Sequence, residues 1–302
     1  MSDRKTNLDA RAVAGIVLCC GLWGLNQVAT KVALAEIAPL LQAGLRSLGA
    51  ALLVALWSRA RGQALRGGAP AGAWRGGLLA GALFAAEFGC IFIGLQYTSA
   101  SRMVVFVYLA PFVVALGMPL IARAERLSGL QAAGLLVAFT GVAWAFGESF
   151  NGPATAGSHQ WLGDALGVLA ALLWGCTTLS IRATRLSAAP AEVTLLYQLG
   201  VSGVLLLVAS ALAGEPWPAR VGALSMAMMG FQIVVVSFAS YLLWFELLRR
   251  YPATKLSAFT LLTPLAGLLA GVALLDEPLT ARLVAATVAV CVGIAAVNRR
   301  PR

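Results

Sequence analysis

Apolar residues in this chain neither alternate nor recur on one narrow face; they fill long unbroken blocks. Residues 12–30, 103–122, 127–147, 165–181, 193–214, 221–245, 256–275 and 283–298 contain no Asp, Glu, Lys or Arg. Each block is about one bilayer long, since a hydrocarbon core about 30 Å thick takes about 20 mainly apolar residues of helix. Two further blocks, at about 38 to 58 and about 75 to 96, carry one charge each within them, Arg46 and Glu87. The pattern predicts an all-α polytopic membrane protein with ten transmembrane helices. A membrane barrel is excluded, because its strands would alternate apolar and polar residues over about ten positions.

Composition agrees with the pattern. Of 302 residues 60% are hydrophobic and 11% charged, and the mean hydropathy is +0.85, whereas soluble domains carry about 25% charged residues. A net charge of +10 raises the question of nucleic acid. Basic residues gather in the cytoplasmic loops of membrane proteins, however, so the surplus needs no nucleic-acid partner. Cys19, Cys20, Cys90, Cys176 and Cys291 all lie in apolar blocks, without metal-ligand or paired-loop spacing. Arg4, Lys5 and Arg11 precede the first block as in a signal sequence. That block outruns a signal core and others follow it, so it reads as an uncleaved first span.

Placing the N-terminus in the cytoplasm and alternating ten spans puts all but Lys31, Arg46, Arg102, Arg220 and Arg282 of the 22 basic residues inside. A miscounted span would destroy that asymmetry. Both termini are therefore expected inside. The polar segment 149–160, SFNGPATAGSHQ, has no Lys or Arg and is expected outside.

The chain also repeats itself. Leu22, Trp23, Gly24, Lys31, Pro39 and Gly49 match Leu173, Trp174, Gly175, Arg182, Pro190 and Gly200, every pair 151 residues apart. Tyr97, Pro111, Glu125, Leu127 and Gly141 match Tyr251, Pro264, Glu277, Leu279 and Gly293 at offsets of 152 to 154. Each copy then holds five spans. Five is odd, so the second copy is inserted upside down, and inverted repeats about an axis in the membrane plane characterise secondary transporters.

The Trp-Gly of the first helix, the basic residue ending it, the Pro of the fourth, Glu125 in RAERLS and Glu277 in LDEPLT resemble two EamA units of the drug/metabolite transporter superfamily. The likeness covers residues 11–297: a first unit over 11–147, an outer linker over 148–161 and a second unit over 162–297. It implies a ten-helix inner-membrane carrier with a central cavity, working as an exporter of amino acids, other small metabolites or toxic organic compounds. Within the superfamily the chain looks most like the YddG-type aromatic amino acid exporters. A multidrug or organic-cation exporter of the same fold is the alternative.

Intramembrane ionisable groups are functional candidates by default. A helical rise of 1.5 Å per residue sets Arg46 about 11 Å and Glu87 about 15 Å below the outer surface, close enough in depth to meet. They form either a structural ion pair between the second and third helices or a site for a zwitterionic substrate, with proton exchange at Glu87 a further role. Trp23, Asn26, Gln27 and Thr30 stand at i, i+3, i+4 and i+7, one polar and aromatic stripe, and the repeat places Trp174, Thr177 and Thr178 at matching points. Such a stripe faces either another helix through hydrogen bonds or a shared pocket on the pseudo-twofold axis. Phe84 beside Glu87, Tyr108, and Gln232, Ser237, Ser240, Tyr241 and Trp244 of the eighth span complete a cavity with aromatic walls and few charges. It suits a small substrate with an aromatic or apolar body and a polar head. Pro111 and Pro264, near the centres of the fourth and ninth spans, are expected to kink them, either as gating elements or as static bends. The pairs Gly77 with Gly81, Gly163 with Gly167 and Gly267 with Gly271 suit close helix packing.

One enzymatic reading competes. Residues 200–203 spell GVSG, as in the GxSG nucleophile motif of rhomboid-type proteases, and Ser202 there needs a base. The sole histidine, His159, falls in the outer linker, so the match is read as coincidence. The sequence has no HExxH metal motif and no phosphate-binding loop, and implies no cofactor.

Overall fold

A bilayer core offers the backbone no hydrogen-bond partner, so each apolar block has to satisfy its own amides and carbonyls as helix. The computed structural model describes residues 8–62, 69–121, 128–145 and 160–275 apart from 253–255, 257–258 and 261, with scattered positions beyond 280. Over these the chain folds into α1 (Ala10–Ala33), α2 (Pro39–Ala60), α3 (Ala73–Tyr97), α4 (Ala100–Val107), α5 (Ala110–Ile121), α6 (Gly129–Ala145), α7 (Gln160–Ala183), α8 (Ala191–Leu212), α9 (Ala223–Gly230), α10 (Tyr241–Arg250) and α11 (Leu262–Leu275). Phe231–Ser240, joining α9 to α10, is a π-helix, its amides bonded five residues back. Six of these rods are long and apolar enough to cross a membrane: Ala10–Ala33, Pro39–Ala60, Ala73–Tyr97, Trp161–Ala183, Ala191–Leu212 and Ala223–Leu248. The protein is thus all-helical and multi-pass. The fifth and ninth expected spans appear as shorter helices, α6 and α11, and most of the tenth, with Glu277 before it, lies outside the described residues, as do Glu125 and His159.

Helix ends carry their own signals. Asp9 Oδ1 accepts from the Ala12 amide at 2.9 Å, capping α1. Ser99 Oγ caps α4 through the Arg102 amide at 3.1 Å. Ser128 and Gln131 exchange bonds of 3.1 and 3.3 Å, a capping box at α6. Pro39 opens α2, where its missing N–H leaves nothing unsatisfied.

The prolines sit differently from expectation. The fourth span is not one kinked helix: it stops at Val107, turns through Tyr108 and Leu109, and restarts at Ala110. Pro111 is the second residue of α5 and has no N–H to offer the carbonyl four residues back, at Val107. Pro264 is the third residue of α11. Each proline therefore opens a helical segment instead of bending the middle of one.

Side-chain bonds show which helix ends share a side. Lys31 Nζ, ending α1, donates to the Thr98 carbonyl at 2.6 Å, and Thr98 Oγ1, between α3 and α4, donates to Asp164 Oδ1 of α7 at 2.9 Å. Arg102 of α4 pairs with the same Asp164. Glu215, just past α8, accepts from the first amides of α2, at Leu40 (3.1 Å) and Leu41 (2.8 Å). Glu36, just past α1, accepts from Gly222 at the start of α9 at 2.7 Å. At the opposite end Tyr251 OH donates to Asp9 Oδ2 at 2.8 Å and Arg185 Nη1 to the Ala71 carbonyl at 2.8 Å.

Laterally, α3 packs on α7 and α8, α2 on α8 and the π-helix, α1 on α11 and the 223–250 rod, and α4 and α5 on α7. Of the predicted glycine pairs, Gly77, Gly81, Gly163, Gly167 and Gly267 lie in these seams. A methyl on Gly81 would meet the Tyr197 backbone oxygen at 2.6 Å, and one on Gly163 the Gly94 oxygen at 2.8 Å. At Gly24 it would collide with the Gly267 nitrogen and come within 2.8 Å of the Ala266 carbonyl carbon, so α1 and α11 touch backbone to backbone. Outside, Leu116, Leu120 and Leu212 are 79%, 89% and 84% exposed. These are lipid-facing values, and exposed Trp57, Trp74, Trp161 and Trp217 stand near span ends as in an interfacial belt.

Candidate substrate cavity

The polar residues that apolar helices carry inward sort into two groups. The first bonds helix to helix. Gln42 and Arg46, one α-helical turn apart on α2, face Gln232 and Ser237, one π turn apart on the 231–240 segment. Gln42 Nε2 donates to Gln232 Oε1 at 3.4 Å and to the Thr30 carbonyl at 3.3 Å, while Thr30 Oγ1 donates to Gln232 Oε1 at 3.3 Å. Arg46 Nε donates to Ser237 Oγ at 2.6 Å and Nη2 to Tyr241 OH at 2.9 Å, with Cζ 4.1 Å from the Phe88 ring centroid. Trp23 Nε1 donates to Ser240 Oγ at 2.9 Å.

The second group faces a cavity of about 130 Å³ near the middle of α1, α3 and α7. Helix α1 supplies Trp23, Asn26 and Gln27; α3 supplies Phe84, Glu87, Phe88 and Ile91; the α4–α5 break supplies Val107 and Tyr108. Trp174 of α7, Gln198 of α8, Val236 of the π-helix and Tyr241, Trp244 and Phe245 of α10 close it. Rings meet edge-on around it: Trp23 with Trp244 at 5.5 Å, Trp23 with Tyr241 at 6.3 Å and Tyr108 with Trp174 at 5.3 Å between centroids. Such geometry locks rotamers as well as adding apolar area. Three buried acceptors on this wall, Asn26 Oδ1, Gln27 Oε1 and Glu87 Oε2, have no hydrogen-bond partner among the described residues. A buried acceptor left without a donor costs about 1–3 kcal/mol, which a bound donor would recover.

Of the residues expected around the cavity, Trp23, Asn26, Gln27, Phe84, Glu87, Tyr108, Trp174, Tyr241 and Trp244 line it, and Arg46, Thr178, Gln232, Ser237 and Ser240 do not. Arg46 is fully buried behind Phe88, committed to Ser237 and Tyr241, so Ser237 is its acceptor and not a wall. Gln232 belongs to the Thr30–Gln42 network. Thr178 turns its hydroxyl back to the Trp174 carbonyl at 3.1 Å. Nor do Arg46 and Glu87 form an ion pair within 4.0 Å: α2 turns Arg46 toward the π-helix, while α3 turns Glu87 toward α1 and α10. The stripe on α1 serves both of its expected uses, Thr30 and the Trp23 indole nitrogen as interhelical bonds, Asn26 and Gln27 as cavity wall.

Two features escape the sequence pattern. Gln198 is a lone amide whose counterpart 151 residues earlier is Ser47, so no repeat flags it. Arg102, grouped above with outward-facing basic residues, is 5% exposed and paired with Asp164; opposite charges at two neighbouring span ends were the available signal. Ser202 is buried and donates to the Leu199 carbonyl at 3.2 Å, an intrahelical bond.

The model of the EamA-like transporter family matches the chain twice, over residues 10–147 and 161–299. An uncharacterized transporter, YvbV of Bacillus subtilis, is 27% identical over 286 residues, covering 93% of this chain and 89% of that one. Proteins named probable amino-acid metabolite efflux pump in Escherichia coli and in Salmonella typhimurium are each 27% identical, covering 86% and 90% of this chain and 85% and 90% of theirs. A solved crystal structure superposes with a TM-score of 0.75 at 20% identity over 96% of both chains, a likeness of fold.

Proposed function

The chain belongs to the EamA-like transporter family, and on that premise we propose that it is an inner-membrane secondary transporter exporting small neutral metabolites by alternating access, with aromatic and other neutral amino acids as its substrates. The observation that carries this reading is the mid-bundle cavity itself, walled by aromatic rings and holding acceptors that no donor among the described residues satisfies. In the same kind of measure an apolar cavity of about 150 Å³ admits a benzene ring, so a volume of about 130 Å³ matches a single small solute. Two relatives named as amino-acid metabolite efflux pumps support the substrate class.

We read the chain as two inverted five-helix units, 11–147 and 162–297, joined by an outer linker over 148–161. The double family match supports the units. Inversion is supported by Thr98, which bonds the last turn of α1 and the first turn of α7: these repeat-equivalent helices run in opposite directions. Packing supports it too, since the most extensive contacts have counterparts under exchange of the units. Helix α3 on α7 answers to the 223–250 rod on α1, α4 and α5 on α7 answer to α11 on α1, and α2 on α8 answers to itself. With ten spans and cytoplasmic termini, the Arg102–Asp164 end is the outer one, tied across by the bonds of Lys31, Thr98 and Arg102. Export then requires that end to part, and the helix starts at Pro111 and Pro264 are the bending points proposed for it.

Flux into and out of liposomes carrying the purified protein tests the proposal, using phenylalanine, tyrosine, tryptophan, leucine and threonine with and without a pH gradient. Protein-dependent flux, fastest for the aromatic members, is expected. Flux at the protein-free level for every amino acid overturns it.

A further inference from the structure

We propose that this cavity recognises its substrate by the ammonium group, held on Glu87, so that aromatic amines lacking a carboxylate bind as well as the amino acids do. The inference rests on the transport reading only for the statement that the bound amine is also carried across.

Charge on the wall is one-sided. Glu87 is 4% exposed, lines the cavity and leaves Oε2 without a partner. Among the described residues the cavity lining includes no lysine or arginine. Arg46, the cation nearest in depth, has its Nε and Nη2 spent on Ser237 and Tyr241. Its guanidinium is stacked by Phe88, the ring that itself faces the cavity. A substrate carboxylate therefore meets amide and ring dipoles and a second carboxyl group, that of Glu87, but no counter-ion among the described lining residues. An ammonium meets the reverse. It brings three N–H donors and no acceptor, and the wall presents three unpartnered acceptors, Glu87 Oε2, Asn26 Oδ1 and Gln27 Oε1. Trp23, Trp244 and Tyr241 line the same cavity, and aromatic quadrupoles attract a cation. Pairing in a dry, low-dielectric site is strong for the matched charge and costly for the unmatched one. Deleting the ammonium from a ligand should therefore cost far more than deleting the carboxylate.

Binding to the detergent-solubilised full chain, measured by titration calorimetry at pH 7, tests this with four probes of one shape: L-phenylalanine, 2-phenylethylamine, 3-phenylpropionate and 2-phenylethanol. The amine is expected to bind at least as tightly as phenylalanine, and the acid and the alcohol at least tenfold more weakly. Glu87→Gln is expected to weaken amine binding at least tenfold while leaving alcohol binding within twofold. Equal binding of acid and amine, unaltered amine affinity in Glu87→Gln, or no amine binding overturns the proposal. If Glu87→Gln fails to fold, the four-ligand order on the wild-type protein decides alone. Amines that bind but never cross in liposomes would remove the statement that they are carried and leave ammonium recognition standing, whereas absence of flux for every amino acid would remove the transport reading itself.

Discussion

Two arginines among the described residues are buried in this bundle, and they are held in opposite ways. Arg102, 5% exposed near one end, faces the Asp164 carboxylate through two nitrogens. Arg46, fully buried near the middle, faces two hydroxyls and an aromatic ring, with Nη1 unpartnered among the described residues. Neutralising charge with charge ties α4 to α7. Solvating charge with dipoles leaves the nearby carboxylate, Glu87, uncommitted and facing open space. A structural ion pair and an available ionisable group thus coexist in one apolar protein, and partner chemistry separates them, not depth.

The contrast breaks first at Arg102. Arg102→Leu strands a largely buried carboxylate and is expected to cost roughly 3 kcal/mol, read as a lower melting temperature in detergent. The double replacement Arg102→Leu with Asp164→Leu should recover most of that loss, and absence of recovery would refute the pairing. Arg46→Met comes next, at about 1–3 kcal/mol for two charged hydrogen bonds. In a double-mutant cycle its coupling to Glu87→Gln should fall below that of Arg102 with Asp164, and a larger coupling would restore the Arg46–Glu87 ion pair expected from depth. Smallest is the effect at exposed Glu36, whose carboxyl the Gly222 amide and then the Ser225 hydroxyl hold below the ordinary glutamate range. A lowered native value means that its contribution is present above about pH 4.3 and is lost as pH falls through the native value. Glu36→Gln should flatten the acid side of a melting-temperature profile and leave neutral pH almost unchanged.

The helices were legible because lipid imposes the same demand on every span, so hydropathy alone marks α1, α2, α3, α7, α8 and the 223–250 rod. Close packing was legible too, since glycines such as Gly81 and Gly163 have no other reason to recur in such helices. Azimuth was not legible. Rise per residue places Arg46 and Glu87 at similar depth, but which neighbour each faces depends on how α2 and α3 are rotated in the bundle. The π-helix was equally hidden. Its composition is that of any apolar helix, yet its wider turn aligns Gln232 with Ser237 where α-helical spacing would separate them, and this moved both from the expected wall into the scaffold. At the fourth span the proline was visible, but the turn it imposes falls at Tyr108, upstream, where the missing hydrogen bond is felt.

The contact between Gly24 and Gly267 gives α1 and α11 a crossing point without side chains. Interlocked side chains resist rotation, because each must leave its groove, whereas two bare backbones can roll on one another like rods on a fulcrum. Trp23 stands beside that point, so a few degrees of roll there would swing an indole that forms part of the chamber, coupling helix tilt to chamber shape at one residue's remove.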